Sequence, residues 1–125
     1  MRVLLDTHLV LWTLLDPQLI VGEAANILKD AGTSPVISVA SLWEIAIKRA
    51  TGKLSMPDDF PERVHKLGRE VLPIMQDHAW RAGALPPHHG DPFDRLLVAQ
   101  AQVEDIPLVT HDRHLERYDV RIIWA

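Results

Sequence analysis

The stretch Arg2-Val-Leu-Leu-Asp6-Thr7-His-Leu-Val-Leu-Trp-Thr-Leu-Leu15 changes character at Asp6. Before it, Val3, Leu4 and Leu5 form an unbroken aliphatic run, the pattern of a short strand buried on both faces. After it, Thr7 is a capping residue type, and the apolar residues continue far enough for a helix to about Leu15, where Asp16-Pro17 signals a turn. In an open parallel α/β sheet, strand-to-helix junctions lie at the carboxyl ends of the strands. Ligands bind there, so residues distant in sequence converge.

The same junction recurs. Pro35–Val39 reads as a strand, followed by a helix from about Ser41 to Ala50 that carries Glu44 in its first turn, presents Leu42, Ile45, Ala46 and Arg49 on one face and stops before Gly52. Asp91-Pro92 opens a helix to about Val103 with Asp94 in its first turn, because Asp accepts from free amides and Pro lacks the donor that would be wasted there. Ile106–Thr110 reads as a strand that gives way at Asp112 to a short helix ending near Arg117, and Val120–Trp124 is a terminal strand. The remaining segments are helices over Val21–Ala31 (ended by Gly32), Pro61–Gly68 and Asp77–Ala84, loops at Leu54–Pro61 and Pro86–Gly90, and a strand Val71–Met75. Pro73 confines that strand to an edge or makes it irregular. Alternating strands and helices predict an α/β fold: a parallel sheet with helices on both faces.

Each acid at these junctions has an ordinary explanation. Asp6 and Asp112 can cap helices. Ser41-Leu-Trp-Glu44 matches a capping box, with Lys48 one turn on as a partner for Glu44. Asp94 faces a helix dipole, although Asp91 is the better cap and leaves Asp94 free to point toward the crevice. What the four share is placement at one end of the sheet. Unit charges 4 Å apart cost roughly 4 kcal/mol at an effective dielectric of 20, so such a cluster must protonate, find basic partners or bind a multivalent cation. With no cysteine and carboxylates dominant, Mg²⁺ or Mn²⁺ is the expected ion rather than zinc.

The 125 residues fit one domain, residues 1–125, and the 47% hydrophobic and 24% charged composition fits a folded chain rather than a disordered one. Absence of cysteine excludes disulfides, thiolate zinc sites and thiol nucleophiles. No signal peptide or membrane-length apolar run is apparent, so the expected compartment is the cytoplasm, with no membrane partner. A net charge of −4 argues against coating nucleic acid by bulk electrostatics, but not against a nuclease whose acids surround a cation.

His88-His89 and His111-Asp-Arg-His114 flank the acids without forming a known zinc spacing, and their roles, like that of Asp91, stay open at this stage. His8 reads as a polar residue on the first helix. Trp12, Trp43, Trp80 and Trp124 read as core or interface residues. Arg49, Lys53, Arg95 and Arg113 are candidates for phosphate contacts.

Taken together, Leu-Leu-Asp6-Thr7, Ser38-Val-Ala-Ser-Leu-Trp-Glu44-Ile, Asp91-Pro-Phe-Asp94-Arg-Leu-Leu-Val-Ala-Gln and Leu-Val-Thr110-His-Asp112 resemble the PIN domain, and more narrowly the VapC-like toxin ribonucleases of type II toxin-antitoxin systems. The resemblance implies a three-layer α/β/α domain with a central, mostly parallel sheet and a Mg²⁺- or Mn²⁺-dependent endoribonuclease activity. It also implies a homodimer and inhibition by a cognate antitoxin. The family's acidic site falls on Asp6, Glu44, Asp94 and Asp112 as catalytic and metal-binding residues, with Thr7 and Thr110 as polar helpers. Where many relatives have Asn after the opening Asp-Thr, this chain has His8. An antitoxin groove is expected beside the first helix hairpin, near Trp12 and Leu15.

Two rival readings are a phosphatase of small phosphate esters and a non-catalytic binding module. The haloacid-dehalogenase pattern requires a second Asp two residues after the first, where this chain has His8, which disfavours an aspartyl-phosphate route. A binding module would use the acids only in caps and ion pairs, with no divalent-ion dependence.

Overall fold

The computed structural model describes residues 1–125. It forms a five-stranded sheet in the order β3-β2-β1-β4-β5, from β1 (Arg2–Leu5), β2 (Ser34–Ser38), β3 (Glu70–Leu72), β4 (Leu108–Thr110) and β5 (Ile122–Trp124). Every neighbouring pair is parallel. The connections are α1 (Thr7–Leu15), α2 (Gly22–Lys29), α3 (Val39–Ala50), α4 (Phe60–Leu67), α5 (Gln76–Ala84) and α6 (Pro92–Glu104).

Period-two alternation assigns the strand residues to two cores. Leu4, Val36 and Leu108 point to one face, where they pack with Leu97, Val98 and Ala101 of α6 and with Leu85, next to α5. Val3, Leu5, Ile37 and Val109 point to the other, against Leu9 and Val10 of α1, Ala24 of α2, Ile45 of α3 and Val64 of α4. Covering both faces explains the uninterrupted aliphatic strands and gives the α/β/α layering. Each fully buried Leu or Ile contributes about 1.5–3 kcal/mol by leaving water, so Leu4, Leu97 and Leu108 on one face and Leu5, Leu9 and Ile37 on the other hold the layers together.

The sequence placed the elements well and some boundaries badly. β3 lies at the sheet edge but ends at Leu72, so Pro73 follows the strand instead of sitting inside it. The segment after Asp112 is only a 3₁₀ turn, Arg113–Leu115, rather than a helix to Arg117. The expected capping box at Ser41 is absent: α3 begins directly at the end of β2, with the hydroxyl of Ser38 accepting from the Ala40 amide at 3.0 Å. Glu44 therefore stands in the second turn, released from any capping duty.

Chain order reverses at β1, because β2 is added on one side and β4 on the other. That switch point opens a crevice beyond the carboxyl ends of β1 and β4. No helix is long and apolar enough to cross a membrane. None of the four tryptophans is buried in a core; Trp80 is 83% exposed.

Candidate metal-binding cleft

Asp6 is the first residue past β1, and its carboxylate caps α1 by accepting from the Leu9 amide at 3.0 Å. The Thr110 hydroxyl, from the end of the adjacent β4, donates to its other oxygen. Thr7, at the start of α1, donates at 2.6 Å to Glu44 on α3, whose second oxygen lies 2.8 Å from the Lys48 ammonium. Both threonines thus reach an acid on a different element. Thr110 also accepts the Asp112 amide at 3.0 Å, tying Asp112 to the same junction.

On α6, Asp91 does what its sequence context predicts, accepting from the amides of Phe93 at 2.8 Å and Asp94 at 3.3 Å. Asp94 is left to face the crevice, where its carboxylate meets His89 Nε2 at 2.9 Å. Asp112 accepts from the backbone and the ring of His114. The rings of His89 and His114 stack with 5.2 Å between centroids and 5° between planes.

These residues line one cleft of about 370 Å³, bounded by Asp6, Thr7, His8, Glu44, Lys48, His89, Asp91, Asp94, His111, Asp112, Arg113 and His114, with no apolar residue among them. All four sequence-predicted acids and Thr7 are in that lining, and Thr110 stands directly behind Asp6. Sequence reasoning undervalued the histidines. His8, His89, His111 and His114 all reach the cleft, and Arg113 reaches it while stacking 3.9 Å over Trp124. For His89, His111 and His114 the signal was present in the two histidine fragments flanking the acids, but a loop's spacing does not fix where its side chains point; His8 lies in the first turn of α1.

Two other basic candidates serve elsewhere. Arg95 donates to the carbonyls of Ala82, Leu85 and Pro86, clamping the end of α5. Arg49 pairs with Asp58 beside an apolar groove lined by Leu42, Ile45, Met56, Phe60 and Val64. That groove lies between α3 and α4. A separate, partly apolar pocket lined by Thr13, Pro17, Ile20, Ala25 and Leu28 lies at the first helix hairpin.

Electrostatically the cleft is unsettled. Burial pushes the Asp6 carboxyl up from its ordinary value, only partly offset by the hydroxyl of Thr110 and the amide of Leu9. Asp94 is raised to about 6, first by burial and then by the negative charge of Asp91, against the opposing His89 bond. Burial also acts to raise Asp112, but the amide and ring of His114 outweigh it and hold that carboxyl below its usual range. The Lys48 ammonium is raised by its bond to Glu44.

A divalent cation fits this donor set. Ligand atoms of Asp6, His8 and His111 lie within 4.8 Å of one another, as do those of His89, Asp94 and Asp112. The carboxylates are of the hard-oxygen type that Mg²⁺ and Mn²⁺ take, and positive charge is what the desolvated Asp6 and Asp94 lack.

The sequence pattern of the PIN domain matches residues 3–121. The chain belongs to the PIN domain family. Within it, the chain is 33% identical to Ribonuclease VapC22 of Mycobacterium tuberculosis over 124 residues, covering 93% of this chain and 91% of that protein. Solved structures share the PIN fold at lower identity. The VapBC2 structure from Rickettsia felis, bound to a DNA fragment from its promoter, aligns with TM-score 0.74 at 17% identity, covering 99% of this chain and 98% of the other. DNA-bound VapBC from Salmonella typhimurium aligns with TM-score 0.66 at 16% identity, covering 99% and 98%. The expected α/β/α architecture of this PIN domain is thereby established.

Proposed function

We propose that this PIN domain is a divalent-cation-dependent endoribonuclease, the toxin of a type II toxin-antitoxin pair. The observation that carries the reading is the wholly polar cleft at the sheet's switch point, where acids from four separate segments meet. The ribonuclease that covers nearly the whole chain at 33% identity supports RNA as substrate. The VapBC neighbours support a cognate antitoxin as partner, and the reading includes a homodimer.

Asp6, Glu44, Asp94 and Asp112 would hold the cation, Mg²⁺ or Mn²⁺. When bound, such an ion supplies charge neutralisation at the phosphate and a water acidic enough to attack it. The chain's own groups prepare that site. Thr110 and Thr7 fix the carboxylates of Asp6 and Glu44 from neighbouring elements, which limits the reorganisation needed when substrate arrives. Lys48, paired with the second oxygen of Glu44, holds that carboxylate in place. Arg113, packed over Trp124, offers a guanidinium at the rim for a backbone phosphate, a contact that positions RNA without reading its sequence.

The test is incubation of purified protein with total RNA, with and without Mg²⁺ or Mn²⁺, followed by mapping of the new ends. Cleavage that requires the ion and disappears in Asp94→Asn is expected. Full activity of folded Asp94→Asn would refute the assignment. An aryl phosphate run in parallel should not turn over, and ready hydrolysis of it would favour a phosphatase.

A further inference from the structure

Of the seven histidines, three have their rings tied to carboxylates: His78 to Glu104, His89 to Asp94 and His114 to Asp112. His8 and His111 differ. They come from α1 and from the segment after β4, they are both exposed, and their rings meet edge to face at 4.9 Å beside the mouth of the Asp6 pocket. Neither forms an ion pair with an acid, yet a nitrogen of each lies within 4.8 Å of a carboxylate oxygen of Asp6 and of the other. Trp12 packs against His111 at 4.9 Å between centroids and limits the positions that ring can take. Asp6 itself is 4% exposed, so the three donors comprise one fixed, desolvated carboxyl group and two imidazoles that make no hydrogen bond or ion pair elsewhere.

Resting on the metal-dependent reading above, we propose that His8, His111 and Asp6 form a nitrogen-rich cation position distinct from the oxygen-dominated one at His89, Asp94 and Asp112. The cleft then takes two ions with unequal preferences. Two imidazoles and one carboxylate suit Zn²⁺ or Mn²⁺, with bonds of about 2.0–2.2 Å, whereas Mg²⁺ retains oxygen ligands and water. On this view His8 is a ligand that tunes which metal loads, rather than a neutral occupant of the position after Thr7.

The test is calorimetric titration of Zn²⁺ and Mg²⁺ into the whole purified chain, alongside His8→Gln/His111→Gln, Asp6→Asn and His89→Gln. Both rings of the double variant are exposed, and Asn can replace Asp as a helix cap, so folding is preserved. Expected are two equivalents of Zn²⁺ in the native chain. One of them should be lost or weakened at least tenfold in both the double variant and Asp6→Asn but kept in His89→Gln, with Mg²⁺ affinity changing less than threefold in the double variant. An adventitious pair of surface histidines would keep its Zn²⁺ in Asp6→Asn, and that result overturns the proposal. So does an unchanged Zn²⁺ isotherm in the double variant. Zn²⁺ binding as expected without any RNA cleavage would instead sink the ribonuclease reading while leaving this site standing.

Discussion

Two groups of buried polar side chains in this protein are built on opposite principles. One lies where α5 and α6 meet β2 and β3: His78, fully buried, accepts the Met75 amide at Nδ1 at 3.0 Å and meets Glu104 at 3.2 Å through Nε2. Gln100 accepts from Ser38 and donates to the Pro73 carbonyl, and Arg2 joins Glu104 to Glu70. Because Nδ1 is an acceptor, Nε2 carries the proton and donates to the carboxylate. Each donor finds an acceptor, and a buried network satisfied in this way rigidifies a fold. In the cleft the hydrogen bonds are also made, yet Asp6 and Asp94 remain pushed toward their neutral forms, because burial and like charge are not balanced by a cation from the chain. The first group is completed by the fold itself, whereas the second is left short of positive charge, as the proposed cation site requires.

The contrast is broken most severely if Asp94 can be neutralised without consequence. Asp94→Asn should lower RNA cleavage by roughly 10²–10³-fold or more, the scale of removing one electrostatic stabiliser of a transition state. Initial rates on a labelled RNA check it. Conversely, Gln100→Leu strands the Ser38 hydroxyl and the Pro73 carbonyl. It should cost about 1–3 kcal/mol in urea unfolding while the rate per folded molecule stays within about twofold. A large activity loss there would merge the two regions into one.

Between those extremes, Thr110→Val removes the hydroxyl that holds Asp6 and accepts the Asp112 amide. A drop of about 10–100-fold in activity or metal affinity is expected, with little change in melting temperature.

The smallest effect sharpens the comparison through pH. Asp94 has a folded pKa of about 6, above its ordinary 3.8, so its ionised form is disfavoured by folding. The resulting penalty is absent below about pH 4, grows as pH rises through 6 and is fully present above it. Metal-free Asp94→Asn should therefore be more stable than the native chain at pH 8, by about 1–2 kcal/mol after allowing for partial exposure, and equal to it near pH 4. Unfolding curves at the two pH values check the sign. Mn²⁺ should raise the melting temperature of the native chain more than that of the variant, which lacks the Asp94 ligand.

Much of this was readable from residue order. The strand-to-helix junctions gave the switch point, Asp91-Pro92 gave the start of α6, and the exclusion of Asp91 in favour of Asp94 followed from which acid was needed as a cap. What escaped depended on tertiary choices. Ser38 and Ser41 are equally good caps locally, and the decision for Ser38 involves Gln100, 62 residues away. Arg95 looked available for phosphate until the end of α5 supplied three carbonyls for it. His89, His111 and His114 sit in or beside loops, where sequence periodicity says nothing about side-chain direction.

The most direct test of the central claim is anomalous diffraction from a crystal soaked in Mn²⁺. An anomalous peak in the cleft within coordination distance of the Asp94 and Asp112 carboxylates is expected. A cleft without such a peak at saturating Mn²⁺, with Asp94 still bonded only to His89, would contradict it.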